Sequence, residues 1–131
     1  AFDPGASKKR QFTPKVYLNN LKGRLAFETH TLEGVLESER LLKLSREIEP
    51  NNVYLDTNEA WVLMGKVWFG LAQEQEFKKL VGDAYRLTMN TVNADPDFSY
   101  ASNLAAMLER NYLGKLDVAC SRIDKLIQRL K

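Results

Sequence analysis

Cysteine and histidine are each present once in 131 residues, and proline four times. A lone Cys120 excludes an internal disulfide and any cysteine-based metal site. A free thiol is best tolerated in a reducing compartment, and nothing else in the chain specifies a location. The one histidine, His30, precedes Glu33 with the offset of half a carboxylate-bridged dimetal helix motif. Such a site needs a second histidine motif and two further acidic helices, and nothing in the chain matches them. Glycine-rich phosphate cradles, nucleophile elbows, zinc signatures and calcium loops are also missing. No apolar run approaches the roughly 20 residues that cross a bilayer. The richest stretch, 60–72, is interrupted by Lys66.

Cys120 is expected as a buried spacer beside Ala119 and Ile123. The acidic pairs Glu37/Glu39, Glu74/Glu76 and Asp95/Asp97 could imitate a general-acid pair. However, residues two apart on one helix do not face a common point. The chain therefore reads as a non-enzyme with no assigned catalytic, cofactor or metal residue.

What is present is a composition of 44% hydrophobic and 27% charged residues, that of a soluble globular chain rather than a disordered one. The net charge of +2 hides a division. Residues 1–24 carry six cations against Asp3. Residues 25–109 carry seven cations against fourteen anions, and residues 110–131 carry six against Asp117 and Asp124. Basic ends can fold against an acidic middle, so the asymmetry does not by itself require an outside partner.

Apolar residues recur three and four apart along most of the chain, the signature of helix faces. The strongest run, Trp61, Met64, Gly65, Val67, Trp68, Leu71 and then Phe77, Leu80, Val81, Ala84, Tyr85, fits one helix or two abutting ones. Thr13-Pro14 opens a first helix, because proline suits the first helical position. Asp56 and Glu59 suggest a capping-box start for the central one. Pro50 and Asn93-Ala94-Asp95-Pro96 are stops. Joints are suspected at 29–34, at the polar interval 72–76 and at Gly114, while strand signals are nearly absent. The expected fold is all-α: an antiparallel helical bundle of three or four main helices, kinked at such joints, over 13–131. A flexible basic arm, 1–12, precedes it.

Trp61, Met64, Gly65 and Trp68 resemble the large-x2-large-Gly-x2-aromatic first helix of tetratricopeptide repeats. Glu49-Pro50-Asn51-Asn52 and Asp95-Pro96-Asp97 resemble that family's closing turns, and Gly114 with Ala119 its helix junction. The resemblance implies a degenerate peptide-binding module with a groove. The pattern departs in period, since Pro50 and Pro96 lie 46 apart against a repeat of 34. Phe77 and Val81 also stand where small residues are expected.

Large groups exceed what one stripe can bury. Trp68 and Phe69, with Tyr112, are the expected protein interface, since aromatic residues dominate binding energy. The leading reading is a non-enzymatic helical protein–protein interaction domain, an adaptor or a subunit of a larger assembly, with another protein or a second copy as partner. The alternative is a nucleic-acid-binding accessory domain, whose Lys8, Lys9, Arg10, Lys15, Lys22 and Arg24 would meet phosphates or an acidic partner, helped by the C-terminal helix.

Overall fold

The structure, a computed structural model, describes residues 12–130. It is an all-α bundle, but of six helices rather than three or four: α1 Pro14–Phe27, α2 Leu32–Ile48, α3 Tyr54–Trp68, α4 Phe77–Ala94, α5 Ser99–Asn111 and α6 Leu116–Leu130. The extra breaks have a common backbone cause. His30, Gly70 and Gly114 adopt φ of 55°, 81° and 65°, left-handed values that no helix can continue through. After two of these helices the amides turn back onto open carbonyls, Leu71 to Lys66 at 3.0 Å and Lys115 to Glu109 at 2.8 Å. Residues 1–11 of the expected arm lie outside the described residues.

Helix starts are partly those expected. Pro14 holds the first position of α1, yet the Thr13 hydroxyl makes no cap bond; its amide donates to Glu49 Oε1 at 2.9 Å. Thr31 caps α2, accepting from the Gly34 amide at 3.0 Å. The central helix begins at Tyr54, before Asp56, with Asn52 Oδ1 accepting from the Tyr54 amide at 2.8 Å. Asp56 and Glu59 turn instead to Arg46, at 2.5 and 3.3 Å. Arg46 also donates to the carbonyls of Pro50 and Asn52, so one guanidinium clamps the α2–α3 corner.

The helices pair in chain order, α1 with α2, α3 with α4 and α5 with α6. The pairs stack through α2–α3 and α4–α5, with α3 also touching α5. This is the near-neighbour pattern of a solenoid, in which each unit buries its apolar side against the next. The first helices of the pairs start at residues 14, 54 and 99, so the intervals of 40 and 45 do not make a strict repeat. Ala60, Met64, Val81, Ala84, Leu104 and Leu108 form a core that spans the second and third pairs. Val16, Leu42, Leu55 and Val62 join the first two, with Phe12 packed on them.

Two glycines permit close approach. A Cβ on Gly34 would meet the Ala26 carbonyl at 2.2 Å, and one on Gly65 would meet Phe27 at 2.8 Å and Val35 at 3.0 Å. Gly82 on α4, by contrast, faces open space.

Glu109 of α5 is fully buried and ties three helices together. It accepts from Arg122 of α6 at 2.6 and 3.1 Å, and from the Tyr85 hydroxyl of α4 at 2.6 Å. Burial pushes its carboxyl up, but the Arg122 and Tyr85 hydrogen bonds outweigh that and hold it below its ordinary 4.5.

Three substitutions test these contacts. Gly82→Ala should raise unfolding free energy by about 1 kcal/mol, the usual gain at an exposed helix interior. Gly34→Ala should lower it by about 1–3 kcal/mol through overpacking, both read from urea melts. Glu109→Gln should cost about 2 kcal/mol at neutral pH, because it leaves a half-buried guanidinium without its charge partner. A carboxylate with a depressed folded pKa stabilises above its unfolded value and loses that contribution as pH falls through the folded one. The gap between wild type and Glu109→Gln should therefore narrow between pH 7 and about pH 3.

Candidate interaction groove

The odd-numbered helices lie side by side and carry a row of aromatic rings. Tyr54, Trp61 and Trp68 recur every seventh residue of α3, which keeps them on one face. At one end of the row, Tyr54 meets Phe12 at 6.0 Å and Phe98 at 5.1 Å, and Phe98 meets Tyr100 at 6.1 Å. Trp61 is the hub, stacked on Tyr100 at 5.8 Å and edge-on to Phe27 at 5.7 Å and Trp68 at 6.0 Å. Arg24 of α1 lies over the Tyr100 ring, 4.4 Å from its centre. Burial pushes the Tyr100 hydroxyl up to about 12, with the Arg24 charge partly opposing, so it stays a neutral phenol.

The row ends in the open. Trp68 and Tyr112 are 38% and 42% exposed, and Trp68 Nε1 donates to the Tyr112 hydroxyl at 2.6 Å. Two residues 44 apart in sequence are thus joined into one exposed aromatic plate. Phe69, the third expected interface residue, is the half-buried C-cap of α3.

Between α1 and α3 the Asn58 side-chain amide donates to Asn20. Asn20, Gly23, Arg24, Asn58, Trp61 and Tyr100 help to line a cavity of about 20 Å³. That volume suits a water molecule and no cofactor. Ser45 Oγ, at its wall, and Trp61 Nε1 are buried without a hydrogen-bond partner among the described residues.

The expected basic site is divided. Lys8, Lys9 and Arg10 lie outside the described residues. Lys15 and Lys22 are exposed, seven apart on one side of α1, whereas Arg24 is turned to the aromatic row. On the C-terminal side Arg122 is bound to Glu109, Arg129 pairs with Asp97 at 2.6 Å, and Lys115 lies over the Tyr85 ring.

Most of the candidate acids are held in structural contacts, whereas the lone histidine and cysteine are exposed. His30 is exposed at the α1–α2 turn. Cys120 is exposed, contrary to the expected buried spacer, because among the described residues no helix covers its side of α6. Glu37 pairs with Arg40, Glu39 with Lys66, and Glu76 accepts from the Gln73 amide. Asp95 accepts from the Tyr54 hydroxyl at 2.7 Å. Among the described residues no group of three or more His, Cys, Asp or Glu is placed to hold a metal ion, and no helix is long and apolar enough to cross a membrane.

Sequence spacing located Trp61 and Trp68 but missed the neighbours of Trp61: Tyr100, stacked on it, with Arg24 and Asn20 around the same cavity. Those residues come from two other helices, α1 and α5, and no local pattern links them to α3. The seven-residue interval from Tyr54 through Trp68 was the available signal for the row.

Trp61 and Trp68 should separate in denaturant titrations. Trp61→Ala should cost about 3 kcal/mol, while Trp68→Ala, at the exposed end, should cost about 1 kcal/mol or less. No protein-family model, curated protein or solved structure matches this chain.

Proposed function

We propose that the chain is a non-enzymatic helical interaction module, an adaptor or assembly subunit that holds a segment of another protein along α1, α3 and α5. The observation that carries this reading is the Trp68–Tyr112 plate, two large amphipathic rings left exposed at the end of an otherwise packed aromatic row. Rings braced by neighbours lose little entropy on binding, which is why Trp and Tyr concentrate at binding hot spots. The amides of Asn20 and Asn58 beside Trp61 supply polar groups of the kind that hold an extended backbone. The cations of α1, which has no acidic residue, favour an acidic partner, and Arg24 is the one that faces the aromatic row.

Nucleic acid is the rival ligand for the same cations. Its support is weaker because Arg24, Arg122 and Arg129 already have partners inside the fold.

Selection of displayed random peptides against the protein should enrich binders that lose at least about tenfold in affinity, ~1.4 kcal/mol, with Trp68→Ala or Tyr112→Ala. Salt-sensitive binding of a mixed single-stranded and duplex probe below about 10 μM, with no peptide enriched, would replace this reading with the rival one.

A further inference from the structure

Each even-numbered helix presents two rows, offset by one residue, and on α2 and α4 the second row, apolar or charged, is where the next helical pair docks. On α2 the inner row faces α1: a Cβ on Gly23 would touch Ser38 and Leu41, and Gly34 abuts Ala26. The neighbouring row, Val35, Glu39, Leu42 and Arg46, receives α3. Val35 lies against Gly65 and Glu39 bonds Lys66. Leu42 packs with Leu55 and Val62, and Arg46 holds Asp56 and Glu59.

The pattern recurs one pair later. On α4 the row of Ala84, Leu87 and Thr91 turns toward α3, its Thr91 hydroxyl donating to the Val53 carbonyl at 2.7 Å, while Ala84 and Leu87 share one core with Ala60 and Met64 of α3 and Leu104 and Leu108 of α5. The adjacent row, Val81, Tyr85, Thr88 and Val92, faces α5. Val81 packs with Leu104 and Leu108, Tyr85 bonds Glu109, and Val92 packs with Phe98, Ala101 and Ala105.

On α6 the inner row is again filled: Ala119 and Leu126 are buried and Arg122 is bound to Glu109 of α5. The adjacent row at the same spacing is Leu116, Cys120, Ile123 and Ile127. Leu116 is 56% and Ile127 50% exposed, Cys120 is exposed and Ile123 half-buried. Beside this row runs a groove of about 390 Å³ whose other wall is Asn103, Ala106 and Met107 of α5.

The opposite end of the stack shows the complementary half. On α3 the row that meets the preceding pair includes Glu59, Val62 and Lys66. Counting from the residues that face each helix's own partner, Gly23 on α1 and Met64 on α3, the matching row of α1 is Leu18, Leu21 and Leu25. It is apolar and bare, with Leu25 57% exposed.

We infer that the protein associates with a second copy of itself head to tail, the Leu18/Leu21/Leu25 row of α1 in one copy seated on the Leu116/Cys120/Ile123/Ile127 row of α6 in the other. The occupant is argued from continuity: the joint made twice inside the chain, α2–α3 and α4–α5, has its two unmatched halves at opposite ends. A contact between unlike faces leaves one of each free, so it propagates rather than closing as a two-fold dimer. It would also set α1 of the next copy beside α5, extending the odd-helix layer. This inference stands apart from the peptide reading, since it uses neither Trp68 nor Tyr112.

Sedimentation of the protein should show mass rising with concentration past the dimer. Leu25→Glu and Ile127→Glu, at exposed positions, should keep wild-type circular dichroism and each sediment as a monomer. Mixed one to one they should form a dimer that grows no further, because each retains the face the other lacks. A wild type that stays monomeric up to about 500 μM, which would populate even a weak contact, overturns the inference. So does assembly insensitive to both charges, or a mixture that does not reassociate.

Discussion

The structure depends on the even helices making contacts along two adjacent rows rather than one. A helix with a single stripe can bury it against one neighbour and stop. A second row, one residue further round, obliges α2 and α4 to take a neighbour on another side. The outcome is a stack whose contacts run from each helix to the next in the chain. Polar groups reinforce the same joints. Arg46 clamps α2 to the start of α3, and Glu109 joins α4, α5 and α6 through Tyr85 and Arg122. A buried carboxylate with three short hydrogen bonds specifies one register, because slipping it would leave a desolvated charge.

That arrangement places the odd helices in a common layer and turns their aromatic residues toward one another. Trp61 has ring neighbours on α1, α5 and its own helix, so it is a packing hub and not a free binding group. Rigidity gathers there and exposure gathers at Trp68 and Tyr112. On the proposed reading, that exposed end is where a chain segment is received. The enclosed space beside Trp61 is too small for a substrate.

Much of the architecture is legible in the sequence, and the unread parts have identifiable causes. Pro14, Pro50 and Pro96 mark boundaries that the structure respects, because proline restricts its own and the preceding backbone. The number of helices was undercounted. A polar interval such as 72–76 reads equally well as the wet side of one helix or as a joint. What decides is the left-handed turn at Gly70, and at the first joint an equivalent turn at His30, a residue type that gives little warning. Asp56 and Glu59 looked like a helix cap because their spacing fits one, and only the fold shows Arg46 waiting for them. Cys120 looked buried because its row is apolar; the spacing reveals an oily row but not whether a neighbour exists to cover it. The aromatic site was half legible. Trp68 and Tyr112 could be named individually, yet their hydrogen bond joins the ends of two helices that no periodicity relates.

Amide hydrogen exchange on dilute protein tests the stacked-pair account most directly, because local opening reports which helices are covered on both sides. Helices α3 and α4, the middle pair with another pair on either side, should exchange most slowly, with α1 and α6 the fastest. Exchange of α6 as slow as that of α4, or all six helices exchanging together, would contradict the account.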